Sequence, residues 1–168
     1  MLSFDGKVTA QTCKINGLDK NANLTVKLPT VSTSALVKSG DTAGTTPFEL
    51  KLTECKTASG TAFPHFEPGA SIDPTTGRLI NTGTGNGLAE NVQVALLNEN
   101  LSPIDLKAAP LMQNVKIGEL KPITTGSGAD AQTTGEATLK FFAQYVATGG
   151  AATAGIVNTT VQYAMMYE

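Results

Sequence analysis

The chain has no tryptophan, one histidine, one arginine and two cysteines, and only 15% of its 168 residues are charged. A lone arginine, Arg78, and a net charge of −2 exclude the clustered Lys/Arg footprint of a phosphate-backbone reader, so no nucleic-acid partner is expected. Cys13 and Cys55 form no CxxC and have no histidine nearby, which leaves zinc and iron–sulfur ligation without a ligand set. No apolar run approaches the roughly 18 residues of a membrane helix, so membrane insertion is not expected. Low charge combined with 40% hydrophobic residues is not the composition of a disordered chain. The length suits one domain with a sizeable core. The opening residues carry no secretory-signal pattern, which points either to a cytosolic chain or to a mature one behind an added start Met.

Period-two alternation is what the sequence has in quantity. Leu2, Phe4, Gly6, Val8, Ala10 and Thr12 share one face, predicting a half-buried first strand that runs into Cys13. Leu24, Val26 and Leu28 alternate up to Pro29, which has no N–H for a ladder. Ser34 to Lys38 suit one helical turn, capped by Ser32 or Thr33 and ended by Gly40. Phe48, Leu50 and Leu52 lead to Cys55, so both cysteines end strands. Two buried thiols and a cross-strand disulfide are both open at this point.

Beyond Cys55, Pro and Gly punctuate Thr61 to Arg78, predicting short strands joined by turns, and Asn81 to Gly87 read as a loop. Val92, Val94 and Leu96 form a strand. Ile104 with Leu106, and Val115 with Ile117, predict two shorter ones, and Thr124 to Thr134 a polar connector. Leu139, Phe141, Ala143 and Tyr145 share a strand face, and Val157, Val161, Tyr163, Met165 and Tyr167 another. Seven or more short strands predict a sandwich of two antiparallel sheets.

Chemistry is scarce. His65 has no GxSxG elbow and reads as a surface or turn residue. Asp73-Pro74-Thr75-Thr76-Gly77 reads as a β-turn, lacking the repeated acidic positions of a calcium loop. The glycines of NTGTGNG do not match a phosphate cradle. Tyr145, Tyr163 and Tyr167 alternate with core positions and read as packing residues rather than a sugar platform. No catalytic residue, metal or cofactor is expected.

Four elements in order resemble the major structural subunits of chaperone–usher, type 1-like fimbriae. Phe4-Asp5-Gly6-Lys7-Val8 leading to Cys13 resembles the family's first strand, F-x-G-x-(I/V) running to the first cysteine. Pro47-Phe48-Glu49-Leu50-Lys51-Leu52-Thr53-Glu54-Cys55 resembles the strand that ends in the second cysteine. Phe142-Ala143-Gln144-Tyr145 is similar to the F-x-A-x-Y stretch. Penultimate Tyr167, with Gly155 fourteenth from the end, matches the family's C-terminal motif.

The resemblance implies an all-β, incomplete immunoglobulin-like sandwich over residues 1–168, lacking its final strand and carrying a Cys13–Cys55 disulfide. It implies a groove lined or supported by Val157, Val161, Tyr163, Met165 and Tyr167, with Leu139, Phe141 and Ala143 in attendance. A periplasmic chaperone and then neighbouring subunits would fill that groove, with an outer-membrane usher exporting the filament. The product would be an extracellular adhesive fimbria that reaches a host receptor only as an assembly. A minor adaptor or tip subunit, and a carbohydrate-binding sandwich, are the alternatives. With only three residues before Phe4, the chain is expected to accept a strand but not to donate one.

Overall fold

A computed structural model describes residues 1–19 and 22–168. Its strands are β1 (Lys14–Ile15), β2 (Thr42–Cys55), β3 (Thr61–Phe66), β4 (Leu79–Ile80), β5 (Val92–Asn98), β6 (Gly118–Glu119), β7 (Lys121–Thr125), β8 (Gln132–Ala147) and β9 (Tyr163–Tyr167). One sheet has the order β1-β2-β8-β5-β4, with β7 also paired to β8; the other has the order β6-β3-β9. The fold is an all-β, immunoglobulin-like sandwich, and among the described residues no helix is long and apolar enough to cross a membrane.

The alternation in the two longest strands explains the frame. β2 and β8 run antiparallel with Phe48 opposite Phe141 and Leu50 opposite Leu139, so each apolar face meets its counterpart in register. The Phe48 and Phe141 rings lie 5.5 Å apart. Leu50, Leu52, Phe66, Val94, Leu96, Leu106, Leu139 and Phe141 form the main core between the sheets. Ser32 caps a 3-10 turn at Thr33–Ala35, accepting from the Ser34 amide, close to the expected helical turn. The Asp73 turn is present as read: its carboxylate accepts from the Thr75 and Thr76 amides and from the Gln93 side chain.

Cys13 and Cys55 are joined and buried, so the disulfide alternative holds. The bond ties the base of the N-terminal segment to the end of β2.

Several expectations fail, each for a local reason. Residues 1–12 form no strand; Leu2, Phe4 and Val8 stand 79%, 88% and 99% exposed, because no edge of this chain is paired with them. Leu24 to Leu28 are extended but join no ladder. Ile104 and Leu106 are buried outside any strand. The Val115 region is held by side chains in place of a ladder: Asn98 accepts from the Lys116 amide and donates to the Asn114 carbonyl. Gln113 likewise pairs its amide with both backbone groups of Phe66, mimicking a strand residue beside β3. The polar connector at 124–134 is a hairpin of β7 and the start of β8. His65 is buried within β3, not at the surface.

The disulfide closes a 42-residue separation. Replacing both cysteines by alanine is expected to lower unfolding free energy by about 4 kcal/mol on the loop-entropy account. A denaturant midpoint that stays within error of the parent chain would contradict it.

Candidate functional site

One face of the sandwich is open. Between β9 and the extended residues 22–28 lies a groove of about 1260 Å³. Its floor is made of core side chains, Phe48, Leu50, Leu79, Val94, Leu96 and Ala143. Val157, Val161, Tyr163, Met165 and Tyr167 line one wall; Leu24, Val26 and Leu28 line the other. An apolar trench this deep, running through the core instead of resting on the surface, is what a missing strand leaves behind.

Backbone geometry makes both rims unpaired edges. Among the described residues β9 has a single neighbour, β3. Thr61 and Glu168 exchange both of their backbone bonds, and the Glu67 amide donates to the Gln162 carbonyl. Bonded and non-bonded pairs alternate along an antiparallel ladder, so the amides of Tyr163, Met165 and Tyr167 point away from β3 and into the groove. Pro64 sits in the same alternation, where its missing N–H is asked of neither β9 nor β6. On the opposite rim, the side chains of Val26 and Leu28 pack on the core, while their segment lies in no ladder.

Of the residues picked out from the sequence, Val157, Val161, Tyr163, Met165, Tyr167 and Ala143 lie along the groove. Leu139 and Phe141 do not; at 5% and 1% exposure they are sealed in the core, facing Leu50 and Phe48 of β2. The second wall, Leu24 to Leu28, was legible only as alternation: nothing local marks an extended segment as a rim rather than a ladder strand. Only Tyr163–Tyr167 of the C-terminal alternation is laddered; Val157 to Gln162 continue extended without being part of the strand.

Gly155 owes its place to a close crossing. The Ile156 amide donates to the Gly87 carbonyl and the Ala89 amide to the Ile156 carbonyl, bringing two backbones together. A Cβ on Gly155 would fall on the Ala89 amide and the Leu88 carbonyl carbon. That crossing fixes where the groove wall begins, two residues before Val157.

Burial raises the hydroxyl pKa of Tyr163 above its ordinary 10.0, and the neighbouring Tyr167 adds to the shift. Burial likewise raises Tyr167, partly offset by the Cys13 amide. No cluster of three or more potential metal ligands occurs among the described residues.

Two tests follow from this geometry. Gly155→Ala is expected to cost roughly 1–3 kcal/mol as a backbone-level overpacking, read as a lower thermal midpoint; an unchanged midpoint would deny the crossing its role. A raised folded-state pKa means stability is intact below the unfolded value near 10 and falls as pH climbs past it. Thermal melts should therefore drop above pH 10, and less so in Tyr163→Phe with Tyr167→Phe. Parallel curves for parent and variant would contradict the assignment.

The comparisons with known proteins agree with this geometry. The family model for type-1 fimbrial protein A matches residues 28–168. The chain is 39% identical over 167 residues to the major fimbrial subunit SMF-1 of Stenotrophomonas maltophilia, covering 99% of this chain and 91% of that protein. It is 41% identical over 172 residues to the F17 fimbrial protein of Escherichia coli, covering 99% and 86%. The P pilus rod subunit PapA shares the fold with a TM-score of 0.58 at 18% identity, covering 93% of this chain and 99% of that one. A subunit from a chaperone–usher pilus structure aligns over 100% of this chain and 94% of its own, with a TM-score of 0.61 at 17% identity. The chain belongs to the type-1 fimbrial protein family and is a structural subunit of a fimbria, not an enzyme.

Proposed function

We propose that this chain is a shaft subunit that polymerises head-to-tail by donor-strand exchange. The observation that carries the reading is the presence, in one chain, of an open groove and a free arm that match each other. The arm is the segment read from sequence as a first strand: Leu2, Phe4, Gly6, Val8 and Ala10 on one face, all of them exposed. Only its root is tied down, where the Thr12 carbonyl accepts from the Lys56 amide and the Gln11 side chain from the Thr57 amide. This replaces the expectation that the chain accepts a strand without giving one. Residues 13–168 make the acceptor and residues 1–12 the donor.

The physical chemistry favours exchange between copies. Burying Leu2, Phe4 and Val8 is worth roughly 1.5–3 kcal/mol each. Ordering the backbone of a dozen residues costs about 1–2 kcal/mol apiece, so apolar burial alone does not seat the arm. The balance comes from main-chain bonds to both rims, whose unpaired amides otherwise face the trench. Such a contact uses different surfaces on its two sides, does not close, and builds a filament.

Before assembly the same groove and exposed edge are an aggregation hazard. In the periplasm, a chaperone that lends a strand would protect them, and an outer-membrane usher would then trade that strand for a neighbour's arm. Val157, Val161, Tyr163, Met165, Tyr167 and Ala143 are the contacts proposed for either occupant. Adhesion to a host receptor would be a property of the assembled surface fimbrium.

The test uses the chain lacking residues 1–12 and a synthetic peptide of those residues. At 100-fold over Kd, bound peptide adds about 2.7 kcal/mol, raising the midpoint of a chain this size by about 5–11 °C. In the full chain, Val8→Asp should abolish polymerisation while leaving the groove able to take the peptide. No thermal shift with peptide, or unimpaired polymerisation of Val8→Asp, would overturn the reading.

A further inference from the structure

Tyr163 does something in the empty groove that lining a wall does not require. Its side chain leaves β9, crosses the trench, and donates its hydroxyl hydrogen to the Ala22 carbonyl at 2.9 Å. Among the described residues this is the hydrogen bond that reaches the rim formed by residues 22–28; the backbone bonds of the fold bypass that segment. The rim is otherwise held by Val26 and Leu28 resting on the core, contacts that resist sliding poorly. A tyrosine is a suitable spacer: a rigid ring with a polar tip that finds a partner when half-buried.

Spacing matters because strands in a sheet lie about 4.8 Å apart, so a strand seated between two rims needs them about 9.6 Å from each other. A rim free to move inward would close the trench by hydrophobic contact and have to be reopened. A rim free to move outward would leave the incoming backbone paired on one side only.

We propose that Tyr163 is a positioning residue that braces the vacant groove at one-strand width, through its bond to the Ala22 carbonyl, and so keeps it receptive to the next subunit's arm. The inference rests on the assembly reading above and deepens it. The brace acts on the empty state. Once the arm is in, main-chain bonds from the donor hold both rims, and the hydroxyl no longer sets their separation. Its loss therefore slows entry and leaves exit alone. A residue whose role was only to pack against the seated strand would do the opposite, since weaker contacts in a complex appear chiefly in dissociation.

Tyr163→Phe tests this in the full chain, because it deletes the hydroxyl and keeps the ring. The probe is a fluorescent peptide of residues 1–12, in excess, followed by anisotropy for association and by chase with unlabelled peptide for dissociation. The expected result is association slowed about fivefold, the worth of one hydrogen bond, with dissociation unchanged. Thr124→Val, which removes an exposed hydroxyl of β7 outside the groove, should leave both rates as in the parent. Unchanged or faster association in Tyr163→Phe, or a loss confined to dissociation, overturns the brace. If the parent chain takes up no peptide at any concentration, the assembly reading itself fails and the brace with it. Uptake by the parent with equal association in the variant removes the brace alone.

Discussion

Among the described residues the outer edge of β9 has no partner strand, and everything distinctive about this molecule follows from that open edge. Buried backbone amides and carbonyls are nearly always paired, because an orphan costs as much as a lost hydrogen bond. Here the amides of Tyr163, Met165 and Tyr167 face a trench floored by core side chains. The opposite rim, residues 22–28, is extended and outside any ladder. A sandwich with two such rims is one strand short of a finished interior.

The rest of the fold holds that vacancy open in a defined shape. β2 and β8 supply a rigid floor through matched alternation and the Phe48–Phe141 contact. The disulfide anchors the root of the N-terminal arm to the end of β2, so the arm leaves the domain from a fixed point. Gly155 permits a backbone crossing that sets the start of the C-terminal wall. Buried Gln113 and Asn98 stitch the irregular 98–117 region to β3 and β5 with side-chain bonds, which lets a long connection pack without strands of its own.

How far the sequence could be read follows the same physics. Alternation locates strands whose one face is buried, and it found β2, β5, β8 and β9. It cannot say which chain a strand will complete. Leu2, Phe4 and Val8 carry the same pattern as Leu50 and Leu52, yet the first set is exposed and the second sealed, because no strand of this chain pairs with residues 1–12. Ile104, Leu106 and Val115 misled for another reason. The Ile104 and Leu106 amides make isolated backbone bonds to Leu96 and Gly77, the Asn98 side chain substitutes for a ladder around Val115, and no period in the sequence announces either. His65, expected at the surface or in a turn, is instead buried in β3 with its neighbours Phe63 and Pro64. The C-terminal motif, by contrast, named five groove residues because a wall needs side chains on one face regardless of which chain lies against them.

The most direct measurement is residue-resolved hydrogen exchange on the chain lacking residues 1–12, with and without the arm peptide. If the sandwich is one strand short, the amides of Tyr163, Met165 and Tyr167 exchange rapidly when alone, while those of Ala164 and Met166, on the β3 side, are slow. Adding the peptide should bring the first three to the protection of the second two. Protection of all five amides in the isolated chain would mean that this domain closes its own interior, and would contradict the account.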